Sequence, residues 1–248
     1  MIFRTAEPPE WLEHGANFGE EGADLSLDRC MIAVCKLRAH AFALLRRLKT
    51  ASVVEKLTYL AKFQDVVAQA EKLDLALSDW CSSLSEDWFR TTHLASAKMW
   101  AEFSPTPAYP YFPKTTHIYG SLHRAIQLNR YRSLRFIANG LVFKAINWQR
   151  DITGTDPVGG PLLKARASSN FQVLTDGVCA SIAYFFALLD DEQENEKVHS
   201  QAVDVGRIGK LSWILTVCVA TPELPCQQRN WVKRMLNIFG EIADFPIL

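Results

Sequence analysis

Charge of one sign is missing from this chain of 248 residues: 27 Lys and Arg stand against 27 Asp and Glu. The strong field that sequence-blind nucleic-acid coating or adhesion to an anionic membrane requires is therefore disfavoured, which leaves only local patches. Long apolar runs are missing too. Val178 to Leu189 and Leu211 to Ala220 stop well short of the ~20 residues that span a bilayer, and they read as buried helices. At the amino terminus, MIFRTAEPPEWLEHGANFGEEG places acids and two prolines where a secretory signal needs an uninterrupted apolar stretch. With no Asn-x-Ser/Thr acceptor in the sequence, an intracellular protein is expected.

Metal and nucleophile motifs are absent as well. None of Cys30, Cys35, Cys81, Cys179, Cys218 and Cys226 stands in the two-residue spacing of a zinc knuckle or redox pair. Cys30 and Cys35 come closest, but no second Cys or His pair completes four ligands, so free thiols buried as small core residues are expected. The histidines, His14, His40, His93, His117, His123 and His199, include no His-Glu-x-x-His. The 12 glycines form no Gly-x-Ser-x-Gly elbow, and RDITGTDPVGG lacks the Gly-Lys-Ser/Thr of a phosphate loop. No catalytic residue, metal ligand or cofactor site is nominated with any support, and the protein is not expected to be an enzyme.

What the sequence does contain is helical periodicity. After a Pro-, Gly- and acid-rich arm over residues 1–23, Leu27, Met31, Val34, Leu37, Ala41, Leu44 and Leu48 recur at three- and four-residue spacing, predicting a helix over Leu25–Lys49. Ser52 followed by Glu55 makes a capping box, and Leu57, Leu60, Phe63, Val66, Ala70, Leu73, Leu77 and Trp80 continue the period to about Leu84. Two antiparallel helices with a turn at Thr50–Ala51 follow from this pattern. FSPTPAYPYFPK, residues 103–114, holds four prolines among aromatics and predicts an extended connector packed by its rings, although PxxP recognition is the other use of such a stretch. Helices are expected over Ile118–Trp148, Ala165–Leu189, Val205–Ala220 and Gln227–Ile242, with a surface loop at Arg150–Gly160. Sustained alternation is lacking, so the fold class is all-α, with residues 24–248 as a single helical domain.

Three local features compete for function. Asp190-Asp191-Glu192-Gln193-Glu194 is similar to the aspartate-rich magnesium site of class I terpene synthases. On that alternative reading, Asp190, Asp191 and Glu194 would hold metal for an all-α enzyme acting on a prenyl or other apolar substrate. The second metal-binding segment of those enzymes does not occur downstream, so a solvated acidic loop is the simpler account. Lys36, Arg38, Arg46, Arg47 and Lys49 form a basic series that could serve as a membrane-facing or nuclear-import patch, against the simpler reading of a solvated face whose cations complement the helix dipole. Trp148, Phe185, Phe186 and Trp213 are candidates for an internal apolar ligand pocket, against ordinary core filling.

A family resemblance rests on four ordered segments. Leu73-Asp74-Leu75-Ala76-Leu77-Ser78-Asp79-Trp80, continuing through Leu84 to Trp88, resembles the LD-x-x-L-x-x-W-x-x-x-LP-x-x-W segment of the fungal-specific transcription factor domain, the regulatory region of fungal zinc-cluster activators. After the Pro/aromatic connector, Leu128-Asn129-Arg130-Tyr131-Arg132-Ser133-Leu134-Arg135-Phe136-Ile137 is similar to that family's W-x-x-YR-x-x-RI-x-L helix. Gly177 to Tyr184 is similar to ICASVPYHLG, although Tyr184-Phe185-Phe186-Ala187 replaces its YHLG end. Leu211 to Ala220, with Arg229-Asn230-Trp231-Val232 and Ile238-Phe239-Gly240, resembles LLWPLYVA and the closing R-x-W-V-x-x-x-L-x-x-IG, with Ile214 where the family has proline.

The resemblance implies a nuclear helical domain that modulates transcription by holding transcription regulators or other proteins, or a small-molecule effector. The family's two Cys-x2-Cys-x6-Cys runs and heptad helix are not in this sequence, so direct sequence-specific DNA contact is not expected. No membrane partner and no cofactor are expected.

Overall fold

The computed structural model describes residues 21–93, 111–186 and 205–243. The element order is α1 (Gly22–Thr50), α2 (Val53–Ser82), β1 (Phe89–His93), β2 (Thr115–Tyr119), α3 (Leu122–Thr153), α4 (Gly160–Phe185), α5 (Val205–Val219) and α6 (Cys226–Ala243). The class is all-α, with one two-stranded ladder. Most of the expected amino-terminal arm and residues 103–110 of the connector lie outside the described residues, as do Asp190, Asp191 and Glu194.

The contacts divide the chain into two units, Met1–Leu84 with Ser133–Phe171, and Ser85–Arg132 with Gln172–Leu248. In the first, α1 and α2 form the expected helical pair. The Glu55 amide donates to Ser52 Oγ while the Glu55 carboxylate accepts from the Ser52 amide at 2.8 Å, a reciprocal cap that starts α2 with two residues between it and the end of α1. Leu37, Ala41, Leu44 and Leu48 of α1 pack with Phe63, Val66, Val67 and Ala70 of α2 and with Leu141, Val142, Ala145 and Ile146 of α3. Burying each large side chain of such a cluster stabilises the fold by roughly 1.5–3 kcal/mol. Trp80 closes the far end of the pair, its indole N–H donating to the Ala23 carbonyl at 2.8 Å.

The segment after Thr115 corrects the expected helix over Ile118–Trp148. Thr115–Tyr119 is a strand, paired antiparallel with Phe89–His93 in the register Phe89 with Tyr119 and His93 with Thr115. Its β-branched Thr115, Thr116 and Ile118 suit the pleat, and Gly120 ends it. A Cβ on Gly120 would stand 2.4 Å from the Asp87 carbonyl oxygen, so only glycine fits there. Ser121 then caps α3, accepting from the Arg124 amide at 3.2 Å.

The loop expected over Arg150–Gly160 is shorter than its composition suggests. Helix α3 runs to Thr153 and α4 starts at Gly160, before the expected Ala165. Gly154 sits at φ +81° and its amide donates to the Arg150 carbonyl at 2.7 Å, a left-handed glycine stop. In the second unit α5 and α6 follow the expected boundaries within a residue or so, and Leu211, Leu215, Cys218, Trp231, Val232 and Met235 are fully buried.

Candidate functional site

Polar side chains inside helical faces are the unusual feature of this fold. On α3, Asn129, Arg132, Arg135 and Asn139 recur at three- and four-residue spacing among apolar neighbours, and three of the four are buried. Each buried polar group requires a partner, because leaving one unsatisfied costs about 1–3 kcal/mol.

In the first unit the partner is Asp74 of α2. Arg135 grips it bidentately, Nε to Oδ1 at 2.7 Å and Nη2 to Oδ2 at 2.9 Å. Asn139 Nδ2 adds a bond to Oδ1 at 2.7 Å, and Asn170 Nδ2 of α4 reaches both Asp74 Oδ2 and Asn139 Oδ1. Three helices are thus tied to one carboxylate.

In the second unit the corresponding centre is Arg132, only 5% exposed. Its Nη1 donates to Asn129 Oδ1 at 2.6 Å and to Tyr119 Oη at 3.1 Å, and its Nη2 lies 3.1 Å from His117 Nδ1. A guanidinium can only donate, so His117 Nδ1 accepts and the imidazole proton sits on Nε2. Burial, and then the charge of Arg132, lower the His117 pKa to about 3. Among the described residues no carboxylate pairs with Arg132. Its charge is met instead by three neutral acceptors, at a desolvation cost of several kcal/mol that the hydrogen bonds offset in part. Gly177 of α4 makes room for it, since a Cβ there would stand 2.9 Å from Arg132 Nε. Asn129 and Ser181 are bonded across α3 and α4, and Thr116 Oγ1 ties β2 to the Ala180 carbonyl at 3.1 Å.

A third polar centre lies beside α6. Asp176 Oδ1 accepts from Gln228 Nε2 at 2.5 Å and from Tyr111 Oη at 3.2 Å, while the Tyr111 ring meets Trp231 edge-on at 5.8 Å. Burial holds the Tyr111 phenol far above its ordinary value. Burial likewise pushes the Cys179 thiol up to about 12 and Cys218 well above 9. Both are fully protonated thiols, poor nucleophiles and poor metal ligands.

The residues expected to line an apolar pocket fall in different units. Trp148 belongs to the first, where it packs on the α1–α2–α3 core with Phe63 at 5.3 Å and Phe42 at 6.0 Å. Phe185, Phe186 and Trp213 belong to the second, the two phenylalanines being buried. In the basic series Lys36, Arg46, Arg47 and Lys49 are exposed, whereas Arg38 is half-buried and lies over the Phe42 ring at 5.7 Å. The thiols differ from the expectation in part: Cys35, Cys179 and Cys218 are buried, Cys30 and Cys81 half-buried, and Cys226 is exposed at the start of α6.

Among the described residues no group of three His, Cys, Asp or Glu side chains is placed to hold a metal ion, and no helix is long and apolar enough to cross a membrane. Neither the family models, the curated proteins nor the solved structures yielded a match to this chain.

Proposed function

We propose that the chain is a helical regulatory domain of the fungal-specific transcription factor type, which modulates transcription in the nucleus by holding partner proteins or a small-molecule effector and has no catalytic site of its own. One observation carries this reading. The polar letters of the resembling segments are the ones with structural work to do: Asp74 of the LD segment, and Arg132 and Arg135 of the YR-x-x-R helix, are the hubs of the two buried junctions. The coincidence of these letters with buried or half-buried polar junctions is what supports the reading. The ICASVPYHLG-like segment contributes in the same sense, supplying Gly177 and Ser181 around Arg132 and Asn129.

The mechanism on this reading is conformational. Polar junctions in an otherwise apolar interior have few alternative arrangements, and a ligand that favours one arrangement shifts the population toward it. Base reading would come from another element or another chain.

The test is a reporter assay in which the full chain is fused to a heterologous DNA-binding domain. Reporter output that changes on fusion, and that is lost with Arg132→Met in a variant that still folds by circular dichroism, is the expected result. Output indifferent to the fused chain, or magnesium-dependent release of diphosphate from a prenyl substrate, would overturn the reading.

A further inference from the structure

Two buried polar atoms on α6 have no hydrogen-bond partner among the described residues: the Gln228 side-chain carbonyl Oε1 and the Trp231 indole Nε1. Gln228 is 3% exposed and Trp231 0%. Buried polar groups are nearly always paired, because an unpaired one loses its hydrogen bonds to water and gains nothing in return. The orientation of the Gln228 amide is fixed by its neighbour. Its Nε2 lies 2.5 Å from Asp176 Oδ1, and a carboxylate can only accept, so Oε1 is the atom left over.

The two atoms belong to one cluster. Gln228 and Trp231 stand three positions apart on α6 and share its buried face. Tyr111 links them: its hydroxyl donates to the same Asp176 Oδ1 that Gln228 holds, and its ring meets the Trp231 ring edge-on. All four residues lie in the second unit, and Asp176 is exposed, so the cluster reaches solvent at its carboxylate. Among the described residues Asp176 Oδ2 accepts from Gln172 Nε2 alone, at 3.2 Å, and has capacity for a further donor.

A group that satisfies this set must accept from the indole, donate to the Gln228 carbonyl and bring no negative charge to Asp176. A carboxylate fails on two counts, and an ammonium offers no acceptor. A hydroxyl has a single hydrogen, which Gln228 would use. A primary carboxamide meets every requirement, with its carbonyl for Trp231, one N–H for Gln228 and the other for Asp176 Oδ2.

We propose that this cluster between α4 and α6 is a binding site for a small molecule bearing a primary carboxamide. The Tyr111 and Trp231 rings supply apolar walls, and the orphaned amide carbonyl and indole N–H supply the specificity. The inference stands apart from the regulatory reading, since it concerns binding alone and uses neither the Asp74 nor the Arg132 junction.

The experiment titrates benzamide into the nitrogen-15-labelled full chain and follows the Trp231 indole resonance, assigned by its loss in Trp231→Phe. Saturable movement of that resonance is expected. Acetophenone, which keeps the carbonyl and replaces the amide nitrogen by a methyl group, and benzoate should both bind at least about ten-fold more weakly. Gln228→Met should weaken benzamide by a similar factor, whereas Leu162→Asp, at an exposed leucine of the first unit, should leave it unchanged. Should Gln228→Met disturb folding by circular dichroism, the comparison of the three ligands on the unaltered protein still decides. Absence of saturable movement, equal affinity for acetophenone or benzoate, or indifference to Gln228→Met in a folded variant would overturn the proposal. So would an indole N–H that exchanges magnetisation with water and stays in place throughout the titration, which would mean an internal water only.

Discussion

Asp74 and Arg135 meet in a two-pronged ion pair at 2.7 and 2.9 Å, with both side chains 12% exposed. Arg135 and the amides of Asn139 and Asn170 converge on the two carboxylate oxygens, so the pair is a node rather than an isolated contact. Removing the carboxylate strands a buried cation and two amides together. Asp74→Ala is expected to destabilise the protein by about 3–5 kcal/mol, read from urea unfolding. The double change Asp74→Leu with Arg135→Leu should recover part of that loss, because no charge is then left unpaired. A double variant no more stable than Asp74→Ala would show that the node does not act as a pair.

The His117 imidazole makes stability pH-dependent below its ordinary pKa, from 6.5 down to about 3. Its folded pKa of about 3 lies below the ordinary 6.5, chiefly through burial and secondly through Arg132. The unfolded chain therefore takes up a proton at this site as pH falls below 6.5 and the folded chain does not. The stabilisation is complete above 6.5 and is lost as pH falls toward 3, at up to about 1.4 kcal/mol per pH unit. Between about pH 6 and pH 5, His117→Gln should flatten the stability profile by close to that slope. An unchanged profile would mean that His117 does not remain neutral in the fold.

Gly177 matters for the space it leaves. Gly177→Ala puts a methyl group 2.9 Å from Arg132 Nε, and the guanidinium cannot swing away without giving up Asn129, Tyr119 or His117. A loss of about 1–3 kcal/mol is expected. It should be accompanied by a shift of the His117 ring resonances in NMR, a signature that a purely helical propensity effect, which favours alanine, would not produce.

Ser52→Ala removes the hydroxyl that accepts from the Glu55 amide while leaving the backbone N–H that donates to the Glu55 carboxylate, and should cost about 1 kcal/mol by thermal or urea unfolding.

The helices were legible wherever apolar spacing and end signals agreed. Ser52 with Glu55 marked the start of α2, and the apolar repeat around it carried both flanking helices. The ladder of β1 and β2 was not legible, since FRTTH and TTHIY are five residues each, too short for alternation to stand out, and their pairing spans an intervening segment that sequence spacing does not encode. The ends of α3 and α4 were misjudged because Thr and Gly near Pro157 suggested a long loop, whereas tertiary packing of Ile146 and Gly160 keeps the helices going almost to the turn. The buried junctions left a faint trace, the polar stripe of Asn129, Arg132, Arg135 and Asn139 on an otherwise apolar helix. Such a stripe looks the same as a solvated face until the partners are known: Asp74 lies 61 residues from Arg135 and Asn170 lies 96 from Asp74.

The interior thiols give the molecule a built-in clock. Cys226 lies open to alkylating reagents, whereas Cys179 and Cys218 are sealed away and held in the unreactive form. Modification of the latter two can proceed only while the second unit is transiently open, so their labelling rate counts those openings directly. Any ligand that tightens this half of the protein would announce itself by slowing that labelling, with no need to know beforehand where it binds.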